Sequence, residues 1–485
     1  MADVLLVQPL VGILDEIKSA PALPLSLLTA AKLVCQECDV KIVDQRIERE
    51  NWKKVLKKEL KKNPICVGTT TMLGPQIKFG LEISEFIKKE SDVPIVWGGP
   101  QASVLPIQTI ENKNIDIIIQ GDGEITFLEL VKALKNKKPL KNVRGILYKS
   151  KGKIIQTESR PLLDINEMPD VPYHLVDVKK YLPKRMGVPT IDIETSRGCP
   201  NRCAFCYNPF YNKGRWRFLR TEVALERIEK VINKFGAKGI WFIDDEFFVD
   251  LGRARKIIER LKELNIIWTV QGTRIRSALG MDDDYIKMLE DSGCRQLNFG
   301  VETGSEKILK KIHKGITIPD VLRVNKKFSR YNIVPWYYFM IGFPYETEKE
   351  VKKTIDLTLR LLSENPKAKI SSIACFTPYP GTQLFEESKK YGYTPPGKLS
   401  DWSLYATDNI NVPWLSGKKK REVEVIQFIS LFMDQKAKDV VDSKFINFLA
   451  NLYRPVALFR LRHQFYSFPL DVYIGKLVKE RKISL

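Results

Sequence analysis

Short uninterrupted apolar runs alternate with longer amphipathic stretches through the first 135 residues. The runs at 4–7, 40–43, 65–69, 95–97 and 115–119 read as buried strands, and 24–36, 51–62, 76–89 and 124–136 as helices. Continuous apolar strands separated by helices predict a parallel sheet covered on both faces. Ligands of such sheets sit at the carboxyl ends of the strands. The glycines fall there: Gly68 in the third strand, Gly98-Gly99-Pro100 after the fourth, and Gly121-Asp122-Gly123-Glu124 after the fifth.

A hairpin turning at Lys151-Gly152 follows, and then a stretch punctuated by Pro161, Pro169, Pro172, Pro183 and Pro189, a composition that marks a boundary. From 190 the alternation resumes with a longer period. Strands are expected at 190–195, 239–244, 267–271, 296–301, 336–341 and 370–377, with helices at 221–235, 252–264, 283–292, 318–330 and 346–363. Six strands with helices between them predict a partial (β/α)6 barrel of the TIM type, whose chemistry belongs at the carboxyl ends. Those ends carry Ser196-Arg197-Gly198, Asp244-Asp245-Glu246, Arg274, Glu302-Thr303-Gly304 and Pro378-Tyr379-Pro380-Gly381. From about 386 the chain reads as helical. The expected fold is therefore α/β: a Rossmann-like domain at 1–140, a connector at 141–189, the barrel at 190–385 and a helical C-terminal region at 386–485.

Length alone agrees with more than one core, since 485 residues exceed an ordinary single domain. The 79 Lys+Arg against 58 Asp+Glu leave a net charge of +21. Such a balance suits nucleic acid, an anionic membrane or an acidic partner. Part of it is spent on Lys53-Lys54, Lys57-Lys58 and Lys61-Lys62, which repeat along one helix face and read as a solvated surface. No basic stretch interleaved with aromatics points to DNA. No apolar run is long enough to span a bilayer, and the N-terminus reads as a strand rather than a signal peptide. Eight cysteines in so long a chain are not a secreted disulfide scaffold, so a reducing cytoplasm is expected.

Three of those cysteines lie on one loop, Arg197-Gly198-Cys199-Pro200-Asn201-Arg202-Cys203-Ala204-Phe205-Cys206-Tyr207, directly after the first strand of the expected barrel. Three thiolates on a short loop can hold three irons of a cubane cluster and leave the fourth open. A structural zinc site wants four ligands, and no fourth Cys or His is nearby.

The spacing of three cysteines, three residues and then two apart with aromatic Phe205 before the last, resembles that of the radical S-adenosylmethionine superfamily. The resemblance covers about 190–385. It implies a 4Fe–4S cluster on Cys199, Cys203 and Cys206 whose open iron binds S-adenosylmethionine and cleaves it to a 5′-deoxyadenosyl radical. An external low-potential electron donor is implied with it. The same resemblance suggests that Phe205 contacts the cofactor, with Asp244, Asp245 or Glu246 for its amino group, Arg274 for its carboxylate and Glu302, in Gly300-Val-Glu-Thr-Gly-Ser305, for its ribose. The Gly-Gly-Glu often found in the family is absent after the second strand.

An α/β domain before such a barrel has two precedents: the cobalamin-binding domain of the cobalamin-dependent subclass, and the second-cluster domain of methylthiotransferases. Cys35, Cys38 and Cys66 are expected to be buried structural cysteines, which disfavours the second. Thr70, Thr71, Gly98, Gly99, Pro100, Gly121, Gly123 and Glu124 look like the subclass's loops around cobalamin, and glycines there let backbone approach a bulky ligand. The tail segment Arg460-Leu-Arg-His-Gln-Phe-Tyr-Ser-Phe-Pro469 also resembles this subclass. The first histidine of the chain is His174, so the N-terminal domain offers cobalt no imidazole.

The resemblance implies a class B radical S-adenosylmethionine methyltransferase that methylates an unactivated carbon, using one S-adenosylmethionine to methylate cobalamin and a second to make the radical. Cobalamin-dependent oxidation or ring formation without net methyl transfer is the alternative. An RNA methylthiotransferase and a non-catalytic cobalamin or metal carrier follow behind. The substrate, whether peptide side chain, lipid, tetrapyrrole or small metabolite, is not legible, and no general base stands out.

Overall fold

The computed structural model describes residues 3–12, 15, 20–405, 410–434, 444–467 and 469–473. The chain divides into two compact units, Met1–Pro183 with Pro395–Ala406, and Lys184–Thr394 with Thr407–Leu485.

The first unit is built on a seven-stranded sheet: β1 (Val4–Gln8), β2 (Val40–Asp44), β3 (Cys66–Thr70), β4 (Ile95–Gly98), β5 (Ile117–Ile119), β6 (Ile146–Ser150) and β7 (Lys153–Gln156). The order is β2-β1-β3-β4-β5-β6-β7. The first five strands run parallel. Every residue of β1 and β3 is buried, as central strands covered on both faces require. The hairpin predicted at Lys151-Gly152 forms, and β6 pairs antiparallel to β5, so part of the expected connector completes this sheet.

Two short helices, Gly99–Val104 and Pro106–Ile110, stand between β4 and β5, where no helix was expected. Each has its proline in the first turn, where the missing N–H costs nothing. A second departure from expectation is the segment 395–406, which belongs to this unit rather than to a single helical tail. Trp402, 1% exposed, donates its indole N–H to the Gln108 Oε1 at 2.6 Å, and the Gln108 amide donates to the Pro396 carbonyl at 2.9 Å.

The second unit carries β8 (Lys184–Arg185), β9 (Val188–Ile193), β10 (Ser196–Arg197), β11 (Arg217–Phe218), β12 (Gly239–Phe242), β13 (Ile267–Thr273), β14 (Cys294–Glu302), β15 (Val334–Ile341), β16 (Lys369–Ile370) and β17 (Ala374–Cys375). Its main sheet runs β16-β15-β14-β13-β12-β9-β8, with β17 also on β15. The strands from β9 to β17 on it are parallel, the partial barrel that the pattern predicted. Helix starts are set locally. Thr317 with Asp320 and Thr347 with Glu350 form capping boxes, each satisfying otherwise orphaned N–H groups. The sixth strand is split into β16 and β17, and around the break Ile370 N–H reaches Asp434 Oδ2 and Ile373 N–H reaches Ser430 Oγ. The C-terminal region is helical, over Gly417–Ser430 and Lys444–Arg462.

Candidate functional site

The cysteine loop leaves the carboxyl end of β9 and is closed at its base by a two-stranded clamp, in which Ser196 pairs with Phe218 and Arg197 with Arg217. Gly198 opens the loop at φ +89°, and a Cβ there would lie 2.0 Å from the Arg215 carbonyl oxygen. Only glycine fits so close a backbone crossing. Arg253, from the helix after β12, donates to the carbonyls of Thr195 and Leu219 at 3.1 Å each, holding both ends of the loop together.

Asp244 does comparable work. Its buried carboxylate accepts from Thr195 N–H at 2.8 Å, Thr195 Oγ1 at 2.6 Å and Ser196 Oγ at 2.5 Å. Burial nevertheless pushes its pKa up to about 6 against those bonds. Asp245 accepts from Gly198 N–H at 2.8 Å. Asp244, one of the three carboxylates expected for the cofactor's amino group, is fully buried, and in this structure its carboxylate anchors the loop. Asp245 likewise positions Gly198. Glu246, also buried, accepts from Ser277 Oγ at 3.1 Å, and burial raises it to about 7.

The three thiols are all free, with Cys203 buried and Cys199 and Cys206 half-buried. The Asn201 amide donates to Cys199 Sγ at 3.2 Å, and Asn208 N–H to Cys206 Sγ at 3.4 Å. Asn208 Oδ1 in turn accepts from Cys199 N–H at 3.0 Å. Arg274, just past β13, donates from Nη1 to Cys203 Sγ at 3.3 Å and from Nη2 to the Lys314 carbonyl. Burial pushes the Cys206 thiol up to about 12 and raises that of Cys199. The donor set fits an iron–sulfur cluster: three soft thiols on one loop, with N–H groups and a guanidinium already directed at the sulfurs. Among the described residues no three such side chains already converge within single-ion distance.

Around the loop, Ala204 is buried with Ile308, Ile312, Phe343, Phe376 and Leu384, and Phe205 packs against this group. The Lys314 ammonium stands 5.6 Å above the Phe205 ring. Its principal partner is Glu302, at 2.6 Å, with both side chains almost buried. Glu302 ends β14 after a bulge at Gly300 and takes φ +77°, a left-handed conformation costly for a residue with a Cβ. Lys314 and Asn208 went unnoticed in the sequence. The signals were His313-Lys314-Gly315 and an Asn two places after the last cysteine, and neither is specific without the fold.

In the first unit the residues predicted for cobalamin gather on neighbouring strand ends. Thr70 ends β3 and bonds Ser26 Oγ at 3.3 Å. Thr71 donates to Gln101 Oε1 at 2.8 Å. Gly98 N-caps the helix that Gly99 and Pro100 begin. Gly99 has φ +90°, and a Cβ would meet Thr70 Oγ1 at 2.5 Å. Gly121 has φ +74° with open space on its Cβ side, and its N–H reaches Ser103 Oγ at 3.0 Å. Gly123 N-caps the helix starting at Glu124, which is itself buried. The sheet's strand order reverses between β1 and β3, the switch point at which such sheets bind ligands. It brings the turn after β1 beside Thr70, a neighbourhood the sequence did not reveal. There Leu10 N–H donates to Gln45 Oε1 at 2.9 Å.

Cys66 is buried as expected, but Cys35 and Cys38 are only half-buried. Cys35 C-caps a helix that leads into β2, Cys38 lies two residues before that strand, and Cys66 begins β3. They thus lie toward the amino ends of the strands, away from the glycine loops.

Residues 193–358 match the Radical SAM superfamily and residues 21–131 the B12 binding domain. The chain is 33% identical over 391 residues to an uncharacterized methyltransferase of Pyrococcus horikoshii, covering 80% of this chain and 83% of that protein. Its fold is similar to that of the cobalamin-dependent S-adenosylmethionine radical enzyme OxsB with aqua-cobalamin bound, at TM-score 0.75 and 19% identity over 99% of this chain and 75% of that one. It is also similar to the radical S-adenosylmethionine methyltransferase TsrM of Kitasatospora setae, at TM-score 0.71 and 17% identity over 93% and 95%. A three-cysteine loop framed on a partial barrel, joined in one chain to a B12 binding domain, makes this protein a member of the cobalamin-dependent radical S-adenosylmethionine enzymes, whose cofactors are a 4Fe–4S cluster, S-adenosylmethionine and cobalamin.

Proposed function

We propose that the enzyme is a C-methyltransferase acting on an unactivated carbon. The observation that carries this reading is the framed cysteine loop in one chain with a cobalamin domain, together with the 33% identity to a protein named as a methyltransferase. When bound, the cofactors supply a 5′-deoxyadenosyl radical for hydrogen abstraction and methylcobalamin as methyl donor.

The chain's own residues then hold and orient. Cys199, Cys203 and Cys206 are the cluster ligands, with Asp244, Asp245 and Arg253 fixing the loop that bears them. Arg274 offers the cation for the cofactor's carboxylate. Glu302, held by Lys314, is the acceptor for its ribose. Phe205, wedged between Lys314 and the apolar group behind Ala204, shields the loop from water. Thr70, Thr71, Gly98, Gly99, Pro100, Gly121, Gly123 and Glu124 line the cobalamin side. None of these is a histidine, so these loops would offer the cobalt no imidazole. Among the described residues no helix is long and apolar enough to cross a membrane.

The test is anaerobic reconstitution with iron, sulfide and cobalamin, followed by S-adenosylmethionine and a low-potential reductant. Formation of both 5′-deoxyadenosine and S-adenosylhomocysteine, with the deoxyadenosine lost in Cys203→Ala, supports methyl transfer. Deoxyadenosine without S-adenosylhomocysteine places the enzyme with oxidising or cyclising chemistry instead.

A further inference from the structure

The C-terminal helix Lys444–Arg462 is apolar on two sides. One side packs inward through Ala450, Ala457 and Leu461, which are buried. The other faces solvent and carries Phe448 at 63% exposure, Leu452 at 67% and Phe459 at 56%, with Leu449 and Val456 between them. Positions 448, 452, 456 and 459 follow helical spacing and form one stripe. Past the helix end Phe465, Leu470 and Tyr473 are exposed as well. Scattered exposed apolar residues are ordinary, but a contiguous patch of this kind marks an interaction surface.

Charge indicates what covers it. The helix contains no acidic residue; Arg460 is buried and paired with Asp471, which leaves Arg454 and Arg462 as the cations beside the stripe. A shallow, open surface lies along this helix. Its lining mixes Arg454, Arg462 and His463 with Leu458 and Phe459. Cations beside apolar side chains suit an amphiphile, with the phosphate at the arginines and the acyl chain on the stripe. A second copy of the chain fits less well, because a two-fold contact sets the same patch against itself and would bring these cations together.

We infer that this helix docks the enzyme on the surface of an anionic lipid bilayer, lying in the plane of the interface with the Phe448–Leu452–Phe459 stripe in the acyl boundary and Arg454 and Arg462 at the phosphates. The inference is independent of the reaction proposed above.

The full-length protein, purified anaerobically with its cofactors, is floated with phosphatidylcholine vesicles and with phosphatidylcholine–phosphatidylglycerol vesicles. The anionic vesicles carry the protein, at least about tenfold better than the neutral ones, and the difference shrinks with salt. Leu452→Glu/Phe459→Glu abolishes flotation while thermal midpoint and bound-cobalamin absorbance stay at the wild-type values, and Phe448→Ser/Leu452→Ser gives a second, milder loss. Arg462→Gln weakens binding by about fivefold. The inference is overturned if wild type fails to float, if the double Glu variant floats as well as wild type, or if light scattering shows a dimer that this variant splits. Flotation gained only on removal of residues 474–485 would make that segment the occupant and overturns it equally.

Discussion

Arg274 Nη1 lies 3.3 Å from the Sγ of Cys203, although the two residues follow β13 and β9, strands with β12 between them in the sheet. A fixed cation beside one ligating sulfur stabilises the more negative, reduced state of whatever that sulfur binds. Arg274→Gln should therefore keep its iron content but show a cluster potential lower by tens of millivolts, on the scale of ~59 mV per tenfold in equilibrium constant for one electron. Spectroelectrochemistry of the reconstituted variant measures it, and an unchanged potential would separate Arg274 from the cluster.

Asp244 anchors the same loop from below. Its replacement by Ala leaves Thr195 N–H and two hydroxyls unpaired in a buried place. A loss of roughly 3 kcal/mol or more is expected, since each buried bond to a charged acceptor is worth ~1.5–3 kcal/mol. Denaturant unfolding gives the stability, and iron content after reconstitution should fall in parallel. Cys66→Ser, Cys294→Ser and Cys375→Ser should leave the iron content intact.

The Lys314–Glu302 pair lends itself to a double-mutant cycle. Lys314→Met strands a nearly buried carboxylate and should cost about 3–5 kcal/mol. Lys314→Met/Glu302→Gln should recover much of that, because no uncompensated charge remains. Additive losses in urea unfolding would show that the two side chains do not interact.

Gly99 and Gly121 both have positive φ, yet their surroundings differ. Gly99→Ala adds a clash with Thr70 Oγ1 to the backbone strain, whereas Gly121→Ala meets open space. Gly121→Ala should cost only the left-handed penalty, about 1–2 kcal/mol. Gly99→Ala should cost distinctly more and lower cobalamin retention, read from its visible absorbance after desalting.

Glu346, on the loop after β15, gives a pH dependence. Its Oε2 accepts from Gly342 and Phe343 N–H groups, while Oε1 is buried without a partner. Burial pushes its pKa up to about 8 from an ordinary 4.5. The folded state thus holds the proton more tightly than the unfolded chain. That contribution is full below the ordinary pKa and is lost as pH rises through about 8. Glu346→Gln keeps the acceptor and removes the titration. Its thermal midpoint relative to wild type should rise steadily from pH 5 to pH 8, and a flat difference would assign the dependence elsewhere.

Much of this protein was written locally. The apolar runs became the parallel strands of two sheets because the same residues must be buried on both faces. Thr317 and Thr347 start helices because their side chains reach N–H groups three residues on. The three cysteines were legible because their spacing on one loop is itself the chemistry. Side-chain roles that depend on what lies across the barrel were not. Asp244 had the type and position of a ligand residue, but only the fold could show that its oxygens are taken by Thr195 and Ser196.

What the sequence determined, then, is the order of strands and helices, the loop that carries the thiols and the glycines where backbone must come close, all properties of neighbouring residues. The tertiary structure alone decided that Arg274 would face Cys203, that Lys314 would neutralise Glu302, that Trp402 would join the first unit through Gln108, and that a helix with one apolar face buried would keep a second one in water. Those are pairings between residues 12 to 294 positions apart. No local pattern encodes them, because they exist only once the sheets have brought distant strand ends together.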